Sequence, residues 1–309
     1  MTAAPALTGV VPIIPTPFRS DEQIDFDGIT RCVHFAQSSG LPAVCLPAYA
    51  SEFYKLSETE RARCVETAIA AAGGKLGVMA QANHPSARHA AELARRYESL
   101  GANYISFAIP RLFALPEADL LAYCRTICDA VKLPVLVQDF NPGGPTVGGE
   151  FARKLADSCG NFRYLKLEES LMSGKIRAII AATDGRIGVL EGWGGMFMLE
   201  LMPAGICGLM PGLGVSDLLN QIWKRYHTGQ QQAALELFQV VLPQVVFALQ
   251  SSELFNWIEK RLLRARGVLN DDNIHVRSAT WTPDDATLRY GDWLNEQVVA
   301  AAKRLAGGG

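Results

Sequence analysis

The sequence predicts a (β/α)8 barrel followed by a helical appendage, and three observations lead to this fold class. Short, nearly continuous apolar runs alternate with longer amphipathic segments, which is typical of parallel strands covered on both faces by helices. Eight such pairs fit into about 230 residues, close to the usual size of a barrel. The segment 15–23 after the first strand lacks a glycine-rich nucleotide loop, which disfavours a doubly wound dinucleotide-binding sheet.

The elements are predicted in order from apolar runs and helix-end signals. The predicted strands are 10–14, 43–47, 76–80, 104–109, 135–140, 164–168, 187–191 and 205–210. The predicted barrel helices are 25–39, 57–72, 86–100, 116–131, 149–158, 173–182, 196–204 and 215–228. Ser57 and Glu60 have capping-box spacing, and Gly101 is a natural helix stop.

The C-terminal quarter of the chain has a different pattern. After Gly229 the apolar strands stop, and helices are predicted at 230–249, 253–266 and 292–305. We therefore expect a barrel over residues 1–229 and a helical region over residues 230–309, which covers the barrel or builds subunit contacts.

Charge and composition exclude several classes of protein. The chain has 309 residues with 29 basic and 31 acidic side chains, a net charge of −2 and no block of like charge, so nucleic-acid and membrane partners are not expected. No signal-peptide or transmembrane pattern occurs, which favours a cytoplasmic location. The seven cysteines are scattered without a CxxC pair, which predicts buried free thiols in a reducing compartment.

The sequence contains no recognisable metal or cofactor motif. The five histidines are dispersed, and no HxH or HExxH pattern occurs. His84 and His89 are five residues apart, which would place them on different faces of a helix. We therefore expect no metal site, and no nucleotide or flavin cofactor.

One lysine stands out among the nine in the chain. Lys166 alone lies in the middle of a predicted strand, and alternation places it on one face with Tyr164 and Glu168. Burial at that position would favour the neutral, nucleophilic amine that a Schiff base requires. The alternative is a structural salt bridge with Glu168 or Glu169, and the pattern alone does not choose between the two.

Barrel catalysis takes place at the carboxyl ends of the strands, and three of these ends carry suggestive loops. The loop 191–195 is rich in glycine, whose backbone amides can approach an anion closely. The loop 48–52 carries a phenol, a hydroxyl and a carboxylate, and the loop 138–146 begins with Gln138 and Phe140 on the inner face. The alternative is that glycine and proline are simply common in loops.

These residues resemble a known family. The motif 9–18 (GVVPIIPTPF), the runs 51–53 and 56–61, and Lys166 occur in the order of the dihydrodipicolinate synthase / N-acetylneuraminate lyase family, and the resemblance covers roughly residues 8–225. It implies a class I aldolase barrel, usually a homotetramer. It also implies that Lys166 forms a Schiff base with an α-keto acid, most often pyruvate.

The sequence departs from the family pattern at the site. The family's Gly-Thr-Thr-Gly-Glu loop reads Ala-Tyr-Ala-Ser-Glu at 48–52, and the family's general acid/base tyrosine falls at Gln138. A second tyrosine, lent by a neighbouring subunit, falls within 110–112. The arginine that binds the second substrate of true dihydrodipicolinate synthases has no counterpart in 141–146. These departures argue against a role in lysine biosynthesis.

A Schiff-base enzyme still needs a proton shuttle. Gln138 cannot ionise and can only orient a water or a substrate oxygen. Tyr49 and Glu168 are the candidate replacements, whereas alternation turns Asp139 outward. The alternatives are a packing role for Tyr49 and a simple ion pair between Glu168 and Lys166.

The sequence therefore predicts a class I lyase (aldolase), or a related dehydratase or hydratase, acting on an α-keto acid such as pyruvate or a 2-keto-3-deoxy sugar acid. The predicted catalytic residues are Lys166, Tyr49, Gln138 and Glu168, and the predicted substrate-binding residues are Ala50, Ser51, Arg111, Phe140, Gly192, Trp193 and Gly194. We expect a homo-oligomer, either a tetramer or a dimer. Two alternatives are a carboxylate-binding barrel without turnover and a barrel hydrolase that uses Glu52 and Glu168.

Overall fold

The computed structural model describes residues 7–307 of the chain. Its strands are β1 (Gly9–Val10), β2 (Ala43–Leu46), β3 (Gly77–Gln81), β4 (Tyr104–Ala108), β5 (Val135–Phe140), β6 (Phe162–Glu168), β7 (Gly188–Glu191) and β8 (Gly208–Leu209). Its helices are α1 (Phe26–Ser38), α2 (Glu58–Ala72), α3 (Ala87–Leu100), α4 (Glu117–Cys128), α5 (Gly149–Ser158), α6 (Ser173–Ala182), α7 (Met198–Leu201), α8 (Ser216–His227), α9 (Gln231–Ala248), α10 (Ser252–Ala265) and α11 (Asp285–Gly307).

The strand order identifies the fold class. The sheet order is β1-β8-β7-β6-β5-β4-β3-β2, so from β2 to β8 each strand neighbours the next one in the chain, with at least one helix in each connection, and β1 pairs with β8. This is the connectivity of a (β/α)8 barrel, and the predicted fold class is confirmed.

One compact unit consists of Leu7, Thr8 and Gly77–Met210. Its strands β3 to β8 are parallel, each paired with the next in the chain. On β6, Lys166 is in register with Gln138 of β5 and with Leu190 of β7. Because register partners in a parallel sheet point to the same face, these three side chains share one face.

Within the described residues, the second compact unit consists of Gly9–Leu76 and 211–307. It contains β1, β2, α1, α2 and the helices from α8 onward. In its C-terminal helices, Ala248, Leu254 and Ile258 form a buried apolar cluster, and Gln244 of α9 donates a hydrogen bond to Asn295 of α11 at 3.3 Å. The predicted domain division at residue 229/230 stays a prediction, and its residues 1–6 and 308–309 lie outside the described chain.

Local signals in the sequence define several element ends. Ser57 caps α2 and Glu60 bonds back to the Ser57 amide, so the predicted capping box is confirmed. Gly101 ends α3 in the left-handed conformation, with φ of 100°. Other ends differ from prediction: α11 begins at Asp285, seven residues before the predicted start at 292.

The histidine prediction was wrong in one respect. The rings of His84 and His89 stack, with their centroids 4.7 Å apart. His84 lies in the turn before α3, where its Nδ1 accepts a hydrogen bond from the Ser86 amide, so helical spacing does not apply to the pair. The absence of a metal site stays a prediction.

The cysteines agree with the sequence analysis. All seven are free thiols, and only Cys207 is not fully buried. Among residues 7–307, no helix combines the length and the apolar character that crossing a bilayer requires.

Candidate active site

Lys166 lies near the carboxyl end of β6 and is only 6% exposed. Its Nζ is 3.1 Å from Oε1 of Glu168, as expected for two residues on the same face of a strand. Leu165 and Leu167, on the other face, are fully buried. A proton can pass directly between the amine and the carboxylate at this distance, so the pair combines a nucleophile with an acid/base group.

Two glutamines extend this pair into a chain of side chains. The Nε2 of Gln138 donates a short hydrogen bond to Oε1 of Glu168. The Nε2 of Gln81 donates to Oε1 of Gln138 at 2.5 Å. The amides of Gln81 and Gln138 are 2% and 3% exposed. These contacts connect Gln81 at the end of β3, through Gln138 of β5 and Glu168 of β6, to the amine of Lys166.

The sequence analysis missed Gln81. The sequence alone could have indicated this residue, because Gln81 is the only polar side chain in the strand 77–81 (GVMAQ) and ends that strand. Polar side chains at the carboxyl ends of barrel strands are candidates for the site.

Gly192, directly after β7, lies against the catalytic candidates. A Cβ added at Gly192 would be 2.3 Å from Cγ of Glu168 and 2.9 Å from Cε of Lys166. Only glycine therefore fits beside this pair. The next residue, Trp193, packs edge-on against Phe140 of β5, with ring centroids 6.2 Å apart, so the structure brings these two predicted pocket residues together.

The glycine-rich turn after β7 already bonds a side chain of this chain, the carboxyl group of Glu191. Glu191 is fully buried, and its Oε2 accepts a hydrogen bond from the Gly195 amide at 2.7 Å. Burial raises the pKa of Glu191 to about 7, although the amides of Gly195 and Phe197 and the charge of Lys166 oppose the rise. Among the described residues, no partner bonds its Oε1.

Two backbone amides of this turn bond within the fold, and the substrate-binding role of Gly192 stays a prediction. The amide of Gly192 donates to the carbonyl of Leu167 at 2.9 Å, and the amide of Gly195 donates to Glu191. Both are therefore committed to the fold. The left-handed Gly194, with φ of 66°, keeps its substrate-binding role as a prediction.

Arg111 has a structural partner that the sequence did not reveal. Its guanidinium forms a two-pronged ion pair with Asp139, with Nε 2.8 Å from Oδ1 and Nη2 2.5 Å from Oδ2. Asp139 is fully buried and also accepts a hydrogen bond from the Val147 amide at 2.7 Å. Asp139 is thus turned away from the Lys166 face, as alternation predicted, and the charge of Arg111 is largely satisfied by it.

In the second unit, the residues of the loop after β2 form a short 3-10 helix, Tyr49–Ser51. Tyr49 packs edge-on against Phe53, with ring centroids 5.0 Å apart. Ser51 is fully buried; its hydroxyl donates to the Ile14 carbonyl at 2.6 Å, and its amide donates to the Ala48 carbonyl at 2.9 Å. The hydroxyl and the amide of Ser51 therefore donate within the fold. The substrate-binding roles of Ser51 and Ala50 stay predictions.

Glu52 is part of a buried ion network. Its carboxylate is 2.5 Å from Nζ of Lys260 and 3.0 Å from Nζ of Lys55, and it is 1% exposed as a side chain. Burial lowers the pKa of Lys260, and the charge of Glu52 opposes this shift. Both carboxylate oxygens of Glu52 are thus engaged by lysines within the fold, which argues against the hydrolase alternative.

Comparison with known proteins places the chain in a family. The model of the dihydrodipicolinate synthetase family matches residues 6–276. The chain is 26% identical to L-2-keto-3-deoxyarabonate dehydratase of Azospirillum brasilense over 308 residues, which cover 98% of this chain and 96% of the relative. It is 27% identical to a 4-hydroxy-tetrahydrodipicolinate synthase of Stenotrophomonas maltophilia over 206 residues, 66% of this chain and 68% of the relative.

Solved structures show the same fold. Dihydrodipicolinate synthase from Rhodopseudomonas palustris superposes with a TM-score of 0.86 at 24% identity, covering 94% of this chain and 97% of that one. YagE, a family member from E. coli K12 solved in complex with pyruvate, gives 0.85 at 22% identity and covers 95% and 99%. The chain belongs to the dihydrodipicolinate synthetase family and is an enzyme of its lyase and dehydratase class.

Proposed function

We propose that this enzyme is a Schiff-base-forming dehydratase that acts on a 2-keto-3-deoxy sugar acid. The observation that carries the proposal is the cluster of Lys166, Glu168 and Gln138, in which a largely buried carboxylate lies 3.1 Å from the lysine amine. Because Gln138 stands at the family's tyrosine position and cannot ionise, the carboxyl of Glu168 takes the acid/base role in this proposal. Similarity over 98% of the chain to a 2-keto-3-deoxy sugar acid dehydratase supports the substrate class.

The first step joins the amine to the substrate. The neutral Nζ of Lys166 attacks the C2 carbonyl of the keto acid, and the carbinolamine loses water to give an iminium. Glu168 accepts one proton of the Lys166 ammonium. After the attack, the nitrogen passes a second proton to the C2 oxygen, and the Glu168 carboxyl returns the first, so that this oxygen leaves as water. Its position beside Nζ suits both transfers, because proton transfer needs donor and acceptor within hydrogen-bond reach.

The second step eliminates water from the substrate. The iminium draws electrons from C3, so the carboxylate of Glu168 can remove a C3 proton and leave an enamine. The enamine electrons expel the C4 hydroxyl, which takes a proton from the Glu168 carboxyl and leaves as water. Hydrolysis of the unsaturated iminium then frees Lys166. Tyr49 is the second candidate acid in this proposal.

The remaining predicted residues would bind the substrate. Ala50 and Gly194 would contact its carboxylate, and Trp193 and Phe140 would pack against its carbon chain, since their rings already form one surface. Elimination needs a base at C3 as well as an acid at C4, and the carboxyl of Glu168 can serve as both in turn.

Borohydride trapping tests the imine. With pyruvate and borohydride, the wild-type protein should gain the mass of a reduced pyruvyl adduct on the peptide that contains Lys166. Lys166→Ala should gain none, whereas Lys154→Ala, which removes an exposed lysine, should be labelled like the wild type. A folded wild-type protein that stays unlabelled with a panel of keto acids contradicts the proposal.

Product analysis distinguishes elimination from aldol cleavage. With 2-keto-3-deoxy sugar acids, we expect a product that has lost one water and no release of pyruvate. Release of pyruvate and an aldehyde would instead support the aldolase reaction. Condensation of pyruvate with aspartate semialdehyde should not occur, since 141–146 contains no arginine.

We also propose that the enzyme is a cytoplasmic homo-oligomer, a tetramer or a dimer, as its family resemblance implies. Light scattering on the purified protein measures the mass against 33.5 kDa for one chain. A monomer at all concentrations would contradict this part of the proposal.

A further inference from the structure

Two hydrogen bonds link Gln81 to Gln138 and Gln138 to Glu168. Their direction follows from the charge of Glu168. A carboxylate only accepts hydrogen bonds, so the Nε2 of Gln138 must face Glu168. The Oε1 of Gln138 then faces Gln81 and needs a donor, which is the Nε2 of Gln81. Each amide therefore determines the orientation of the next one.

We propose that Gln81 is a positioning residue for the elimination: it locks the Gln138 amide so that its NH2 group always points at Glu168. This inference rests on the proposed function, because it concerns the acid/base group of that reaction. Gln138 bonds Glu168 directly, whereas Gln81 acts only through Gln138.

The small side chains of β4 allow Gln81 of β3 to contact Gln138 of β5. Gln81 is in register with Ser106, and Gln138 is in register with Ala108, on the strand between them. Positions 106 and 108 share a face because side chains alternate along a strand. Since both are small, Gln81 contacts Gln138 across β4, with 2.5 Å between Nε2 and Oε1.

Without Gln81, the Oε1 of Gln138 loses its donor. While Glu168 is protonated during the reaction, its carboxyl can donate to that oxygen, so the Gln138 amide can turn over. In the turned orientation no NH2 group stabilises the carboxylate that must remove the C3 proton. The contact between Gln138 and Glu168 acts on proton transfer and not on noncovalent binding of the keto acid, so the effect belongs in kcat and not in KM.

Two substitutions at Gln81 separate positioning from packing. Gln81→Met keeps the length of the side chain but cannot donate, and kcat should fall by roughly 10- to 100-fold, the loss of one or two buried hydrogen bonds, with KM within about twofold. Gln81→Glu keeps the shape of the side chain, but the new carboxyl group can donate a hydrogen bond to Oε1 of Gln138 only when it is protonated. Its kcat relative to wild type should therefore recover as the pH falls from 8 to 5.5.

The control is a buried glutamine in the other unit. Gln244 is 3% exposed and bonds Asn295, so Gln244→Met removes a comparable amide. Its kcat per folded enzyme should equal that of the wild type at every pH. If Gln81→Met does not fold, the isosteric Gln81→Glu decides the question by its pH dependence.

A measurement without turnover distinguishes this inference from the proposed function. In 15N-glutamine-labelled protein, the side-chain signal that disappears in Gln138→Leu belongs to Gln138, and its hydrogen exchange should accelerate in both Gln81 variants. Unchanged exchange together with wild-type kcat in Gln81→Met overturns the inference. An absent pyruvate adduct in the wild type contradicts the proposed function instead, because the exchange result does not depend on it.

Discussion

At the residue scale, Gly192 shows how a missing side chain makes room for chemistry. Its backbone conformation is not left-handed, so the requirement for glycine is one of space. A methyl group there would meet Cγ of Glu168 at 2.3 Å and Cε of Lys166 at 2.9 Å. These are the two side chains whose separation determines proton transfer, so displacement of either alters the proposed reaction.

We predict that Gly192→Ala folds but loses at least about 100-fold in kcat/KM, because small displacements of reacting groups are costly. Steady-state kinetics with a 2-keto-3-deoxy sugar acid, with circular dichroism to check folding, measures this. Gly174→Ala is the matched control: a Cβ there meets nothing within 4 Å and lies in α6, so activity should be unchanged. Near-wild-type kinetics for Gly192→Ala would show that the pair tolerates displacement.

At the element scale, α10 anchors the loop after β2. Lys260 of α10 is fully buried, and its Nζ bonds Glu52 at 2.5 Å and the His275 carbonyl at 2.7 Å. It also lies 4.6 Å from the centre of the Phe18 ring. Glu52 adopts φ of 58°, which is unusual for a residue with a side chain. The ion pair stabilises this conformation and with it the position of Tyr49–Ser51.

We predict that Lys260→Met lowers the free energy of unfolding by about 1–3 kcal/mol, the usual cost of leaving a buried polar group without one of its partners, because Glu52 keeps its second ion pair with Lys55. Adding Glu52→Gln should recover part of the loss, because a neutral amide no longer needs the charge of Lys260. Urea denaturation of the single and double variants measures the coupling. Lys154→Met, which breaks a surface pair at 40% exposure, should cost less than about 1 kcal/mol. Equal losses at the two lysines would contradict a buried-pair role.

At the scale of the whole molecule, two buried carboxyls make stability depend on pH. Burial raises the pKa of both Glu191 and Glu259 to about 7, against backbone amide hydrogen bonds that oppose the shift. Between the unfolded value of 4.5 and 7, the folded chain binds more protons than the unfolded chain. The free energy of unfolding therefore falls as pH rises through this window.

We predict that Glu191→Gln and Glu259→Gln each flatten this decline by a few kcal/mol between pH 5 and pH 8. Urea denaturation at the two pH values measures it, and the difference between variant and wild type cancels all other titrating groups. Glu66→Gln, at an exposed position of α2, should leave the slope unchanged. A wild-type slope in both buried variants would show that these carboxyls ionise normally in the folded chain.

The local pattern of the sequence determined the elements and drew attention to Lys166, whose catalytic role stays a prediction. Apolar runs and the Ser57 and Gly101 end signals depend only on neighbouring residues, so they indicated strands, helices and their order. Lys166 was recognisable because it interrupts an apolar strand, and alternation alone placed Glu168 beside it.

Tertiary structure decided how the remaining groups are used, because their partners are distant in the chain. Gln81 and Gln138 are 57 residues apart and meet only when β3, β4 and β5 are in register. Likewise, Arg111 pairs with Asp139, and Glu52 pairs with Lys260 across 208 residues. Composition and periodicity carry no information about such pairings, since a hydrogen bond depends on a few ångströms of separation that only the packed fold establishes.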